Sequence, residues 1–203
     1  AKDVAEIIKG KYFKVLPKDN ILLLPKDEIE ELVLKKYPRA KSLTIEAGLP
    51  DTLIIKFEER KQEAILCYGK DCGFLDQSGF VFEKAPYFSG DAYIKFIDEQ
   101  GGDTTLAIGK NIIDAQNFER IWTLAGLINK GGVTITRVYI KEDNFFQLLT
   151  KEGWRILIND KNEPQITYEN LSLALREEIK DQRKNLEYVD LRFGNKVYFK
   201  YKK

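Results

Sequence analysis

The sequence predicts an α+β protein. A small helix-helix-strand-strand domain spans residues 1–60, and a larger, mostly antiparallel β domain with two helices spans residues 61–203. Three observations predict it. Apolar residues in the first sixty positions recur at helical spacing and then alternate. From Lys61 the texture changes to short alternating runs separated by Gly, Asn and Asp. The chain then closes with Tyr188–Tyr201, two strand-like runs joined by Gly194-Asn195.

The spacing predicts a first helix at Asp3–Ile8, with Val4, Ile7 and Ile8 on one face. Pro25 opens a second helix whose apolar face is Ile29, Leu32 and Val33. Its early acids and the late Lys35 and Lys36 complement the helix dipole, and Pro38 ends it. Ala40–Glu46 alternates as a strand, Gly48–Asp51 turns, and Thr52–Glu58 is a second strand with Leu53, Ile55 and Phe57 on one side. The domain boundary falls near Glu59-Arg60.

In the second domain, strands are predicted at Glu63–Cys67, Gly73–Asp76, Phe80–Glu83, Tyr93–Ile97 and Thr105–Ile108, with a turn at Asp76–Gly79. A helix over Asp114–Lys130 carries the stripe Phe118, Ile121, Trp122, Ala125 and Ile128 and stops at Gly131-Gly132. Val133–Lys141, Phe145–Thr150 and Trp154–Asn159 read as a meander. Thr167 begins a last helix with Leu171, Leu175 and Ile179 on one side. No internal repeat or low-complexity segment interrupts this order.

Composition narrows the function. A net charge of +1 without a long basic block gives nucleic-acid binding little electrostatic support. No apolar run approaches the ~20 residues that span a bilayer. The chain starts at Ala1 and holds no methionine, and we expect it to be part of a longer protein. Without histidine, Ser-His-Asp and Cys-His catalysis and His-based metal sites are unavailable. No cofactor is expected. The adjacent acids Glu58-Glu59, Asp98-Glu99 and Glu177-Glu178 read as surface charges, since neighbours on a strand face opposite sides. Gly101-Gly102 and Gly131-Gly132 lack phosphate-loop spacing.

Cys67 and Cys72 enclose four residues. Two thiolates do not close a tetrahedral zinc site, and the CxxC spacing is absent. The readings left are a disulfide across a short hairpin or two reduced thiols. Opposed antiparallel residues have Cα atoms about 4.5–5.5 Å apart, which suits a bridge. We expect the bridge, at a hairpin tip, and the oxidising compartment it implies.

The candidate site is the terminal strand. Lys196, Tyr198 and Lys200 point one way, and Val197, Phe199 and Tyr201 the other. From Arg192 to the end there are five basic residues and no acid. A cationic, aromatic strand at a chain terminus suits a sheet edge, which must be blunted or used to pair with another chain. Blunting by lysines is the plain alternative to partner recruitment.

Four stretches in order resemble the extracytoplasmic part of the FtsQ/DivIB cell-division family. They are Tyr37-Pro-Arg-Ala40 with Leu43 and Ile45; Pro50–Arg60, similar to "P-x-T-L-x-I-x-x-x-E-R"; Phe74–Phe82, similar to "(V/I)-D-x-x-G-x-(V/A)-F"; and Tyr188–Phe193, similar to "Y-(V/I)-D-L-R-(Y/F)". The resemblance implies a POTRA domain followed by a β domain, both outside the cytoplasm, anchored by one upstream transmembrane helix at the division septum. It implies no catalytic activity. It implies a scaffold that binds the bitopic FtsB/DivIC-like and FtsL-like proteins, which link to the septal peptidoglycan synthase. In the family the last β-domain strand accepts a strand of the FtsB-type partner. By position, Arg192, Phe193, Val197 and Phe199 would take part here, within a site of Arg192, Phe193 and Lys196–Tyr201. The chain departs from the family in beginning with a helix where a POTRA domain opens with a strand, and the cysteine pair is not a general family feature. A POTRA-type chaperone or translocation module, or a carboxylate-based wall hydrolase, are the competing readings. The first calls for tandem POTRA units or a barrel, the second for a concave cluster of acids.

Overall fold

The computed structural model describes residues 26–48, 52–100 and 105–203. The helix expected at Asp3–Ile8 and the turn residues Leu49–Asp51 lie outside the described residues. The protein is α+β, and the chain divides into two compact units after Lys61.

In the first unit, helix α1 (Lys26–Lys36) carries Asp27 and Glu28 in its first turn and Lys35 and Lys36 in its last. It buries Ile29 and Val33 against Leu43 and Ile45 of strand β1 (Ala40–Gly48). Strand β2 (Thr52–Glu59) pairs antiparallel with β1, placing Ile45 opposite Ile55 and Leu43 opposite Phe57. Ile55 joins this small core, whereas Phe57, expected beside it, is 63% exposed. The helix contributes two buried side chains, too little apolar surface to cover the whole strand face. Ion pairs Arg39–Glu59, Lys41–Glu58 and Lys56–Glu46 span the exposed ladder.

The second unit is built on a ten-stranded sheet. Its strands are β3 (Ala64–Tyr68), β4 (Asp71–Leu75), β5 (Phe80–Ala85), β6 (Ile94–Asp98), β7 (Lys110–Asn111), β8 (Ile135–Ile140), β9 (Phe145–Thr150), β10 (Arg155–Asn159), β11 (Leu186–Phe193) and β12 (Lys196–Tyr201). The order across the sheet is β12-β11-β10-β9-β8-β6-β3-β4-β5-β7. Pairing is parallel between β10 and β11, β8 and β6, and β6 and β3, and antiparallel elsewhere.

Helix α2 (Ala115–Lys130) begins where the Asp114 carboxylate accepts from the Asn117 N–H, and it ends at Gly131. Its buried stripe is Phe118, Ile121, Leu124, Ala125 and Ile128. Trp122 is only partly buried and stacks on Phe118. Helix α3 (Pro164–Ala174) starts three residues before the expected Thr167, with Pro at a first-turn position that needs no N–H. Thr167 is therefore inside the helix and buried. A π-helical turn, Leu175–Ile179, follows and takes in the Leu175 expected on the helix stripe. The two helices pack with Phe96, Val138, Phe146, Trp154, Ile156 and Val189 in one core on one face of the sheet.

The expected strand at Thr105–Ile108 is not formed. Leu106 is buried against Gly73 and Val81, but the ladder partner of β5 is the two-residue β7 that follows Gly109. The apolar alternation marked a core contact rather than a strand. The Asp76–Gly79 turn is present. The Asp76 carboxylate accepts from the Ser78 and Phe80 N–H groups and the Ser78 hydroxyl. Gly79 holds φ 77° with its Cα against the Phe118 ring. On the opposite face of the sheet, a second cluster of Ile65, Cys67, Cys72, Phe74 and Phe82 packs beneath Phe88 and Tyr93. Cys67 and Cys72 lie directly opposite each other on β3 and β4 and form a disulfide.

Candidate functional site

Strand β12 ends the sheet: among the described residues its ladder runs to β11 on one side. The Lys202 N–H donates to the Asn185 carbonyl, which aims residue 202 at β11. Extended backbone alternates, so Lys200, Tyr198 and Lys196 also aim their amides at β11. The N–H and C=O of Val197, Phe199 and Tyr201 consequently point away from the sheet. This is the row of groups that strand addition requires.

Strand β11 carries two irregularities where the register shifts against β12. One falls between Leu186 and Tyr188, the other between Asp190 and Phe193. Each places an additional residue on β11, the geometry of a bulge. Glu187 is the additional residue of the first, and its carboxylate accepts from Lys200 Nζ at 2.8 Å and lies 3.5 Å from Arg155. Chiefly through that Lys200 hydrogen bond, with Arg155 and Lys203 adding, the Glu187 carboxyl is held below its ordinary value. The same bond raises the Lys200 ammonium.

At the second bulge, the buried Asp190 carboxylate grips Arg192 with both oxygens. Nε donates at 2.8 Å and a terminal nitrogen at 2.6 Å. The hydrogen bond to Asp190 raises the guanidinium above its ordinary value. Arg192 also lies 4.7 Å from the centroid of the Phe145 ring. Three asparagines fix the carbonyls of this end of β11: Asn162 donates to Leu191, Asn159 to Arg192 and Asn170 to Gly194. Gly194 turns the chain with φ 67°.

The expected site residues divide by face. Val197 and Tyr201 are half-buried on the helix-covered core, and Phe199, on their side, is 36% exposed and sits edge-on to Tyr201. On the other face, Phe193 and Tyr198 are exposed and meet edge to face at 5.4 Å. Of the five terminal cations, Arg192 and Lys200 are paired with Asp190 and Glu187, while Lys196, Lys202 and Lys203 form no ion pair among the described residues. Sequence reasoning missed Asp190, Glu187 and the three asparagines. Asp190 was findable, because residues two apart on a strand share a face. Glu187 was not, since it meets Lys200 only through a bulge.

The acidic pairs do not converge. Glu58 and Glu59 bind Lys41 and Arg39, Asp98 accepts from the Tyr68 hydroxyl, Glu99 pairs with Lys141, and Glu177 with Arg176. Among the described residues no group of three metal-ligating side chains forms, and no helix is long and apolar enough to cross a membrane. No protein-family model matches the chain, and no curated protein matches it.

Proposed function

We propose that this protein is a non-enzymatic scaffold whose terminal strand accepts a strand from a partner. The observation that carries the reading is the six-residue edge strand β12, with the amides of Val197, Phe199 and Tyr201 aimed outward. Backbone pairing supplies adhesion without sequence preference. Selectivity comes from the flanking side chains and from the unpaired Lys196, Lys202 and Lys203, which favour an acidic partner and quicken encounter at low salt.

The motif resemblance supplies the setting. By that reading the partners are FtsB/DivIC-like and FtsL-like bitopic division proteins. The protein then sits at the division septum on the outer side of the cell membrane, held by a transmembrane helix upstream, and helps control septal peptidoglycan synthesis. The Tyr188–Phe193 signature supports this, since it lies in β11, directly beside the proposed acceptor strand.

The test is amide exchange. On addition of the purified extracytoplasmic segment of an FtsB/DivIC-like protein, the Val197, Phe199 and Tyr201 amides should become protected. Unchanged exchange at all three while the segment binds would place its site elsewhere.

A further inference from the structure

On the face of the sheet away from the helices, three interior cations carry counter-ions, whereas Lys196 at the β12 edge and one interior pair do not. Lys141 pairs with Glu99, Arg155 with Glu187, and Arg192 with Asp190. Lys95 and Arg137 occupy paired positions of the parallel strands β6 and β8, so their side chains leave the same face about 4.8 Å apart at the backbone. Neither has an acidic partner among the described residues.

Lys95 is the unusual member. It is 6% exposed, and its ammonium donates to the Phe88 carbonyl at 2.5 Å and lies 5.5 Å from the centroid of the Tyr87 ring. One carbonyl and one aromatic ring leave a buried ammonium without a neutralising charge, an arrangement that burial penalises. The Arg137 side chain, half-buried beside it, makes no hydrogen bond or ion pair among the described residues. An oxyanion lying between the two would receive the planar guanidinium fork and an ammonium proton together.

We propose that Lys95 and Arg137 form an oxyanion-binding site on this face, taking a carboxylate or a phosphate group. Arg137 and Lys95 lie four and five strands from β12, and the site is independent of strand addition there. Lys95 is pre-ordered by Phe88 and Tyr87, so binding costs little side-chain ordering on that half, while Arg137 supplies the recognising fork.

The experiment is a titration of the 15N-labelled protein with sodium acetate and, separately, sodium phosphate. Sodium chloride at matched ionic strength serves as the reference, and the Arg137 side-chain Nε–H is observed. A saturable shift is expected with at least one oxyanion: acetate alone assigns a carboxylate site, phosphate a phosphate site. Arg137→Gln should weaken the binding about tenfold, followed at the Lys95 amide. Thermal melts of Arg137→Gln supply the second readout. The oxyanion that saturates should raise the wild-type Tm above the chloride reference and leave the variant at it. Shifts that rise linearly and equally in chloride, or a Tm gain retained in Arg137→Gln, would overturn the proposal.

Discussion

The two edges of the large sheet are managed in opposite ways. At one edge, β7 is two residues long, both exposed, and offers almost no ladder to a newcomer. At the other, β12 runs for six residues with three outward amides in register. Short edge strands and bulges are devices that discourage pairing, and a long edge invites it. The β12 edge has its bulges one strand inward, on β11, where they bend the sheet without interrupting the outer ladder. Length and an intact outer row thus distinguish an edge that is closed from one that is open, although both carry lysine.

The same contrast appears in the hairpins. Gly79 and Gly194 both need positive φ. A Cβ on Gly79 would stand 2.5 Å from the fully buried Phe118 ring, whereas one on Gly194 would meet nothing within 4 Å. Gly79→Ala should therefore cost about 2–4 kcal/mol, from overpacking added to strain. Gly194→Ala should cost only about 1 kcal/mol. Equal losses in denaturant melts would mean that the two ends are packed alike.

Arg192→Ala is expected to lower stability by about 2–3 kcal/mol, because it strands the buried Asp190 carboxylate. Arg192 is thus a support for the edge, and a loss of partner binding in this variant has to be read beside its melt. Asp190→Asn with Arg192→Gln, which removes both charges, should recover much of the loss. Failure to recover would show that Arg192 stabilises by packing on Phe145 instead.

On the closed side, removing the disulfide with Cys67→Ser and Cys72→Ser together should cost about 2 kcal/mol, as expected for so short a loop. Denaturant melts give the cost. The intact mass of the wild type should rise by two hydrogens on reduction. Partner binding at β12 should be unaffected, since the bridge lies across the sheet on β3 and β4.

The smallest expected effect is at low pH. Glu187 is depressed in the folded protein, so its contribution is present above the unfolded value and lost as pH falls through the folded one. Lys200 is raised, so its contribution is present below its unfolded value and lost as pH rises through the folded one. Protection factors of the β12 amides, which divide out the intrinsic pH dependence of exchange, should fall slightly at both extremes. In Glu187→Gln the acid limb should flatten, and a limb of unchanged slope would show that another carboxylate causes it.

Much of this contrast was legible in the sequence where signals are local. The alternation of Lys196–Tyr201 and the Gly194-Asn195 turn located the terminal hairpin, the spacing of Cys67 and Cys72 located the bridge, and Phe145–Thr150 was bounded as found. What depends on pairing was not legible. The bulges on β11 arise from its register with β12. Leu106 shows the converse: its alternation satisfied a core contact without a ladder. Phe57 matched its strand face and stayed exposed, because alternation fixes a face and not what covers it.

The central claim is that β12 is an open edge, and proline placed on it tests that directly. Phe199→Pro removes an outward N–H and should melt like Phe199→Ala, because no internal hydrogen bond is lost. Lys200→Pro removes an N–H aimed at β11 and should melt well below both. The decisive measurement is binding of the FtsB/DivIC-like segment to Phe199→Pro against Phe199→Ala, with melts alongside. The account predicts that Phe199→Ala retains binding and Phe199→Pro loses it at equal stability. Equal binding by the two variants would contradict it, leaving β12 a closed edge like β7.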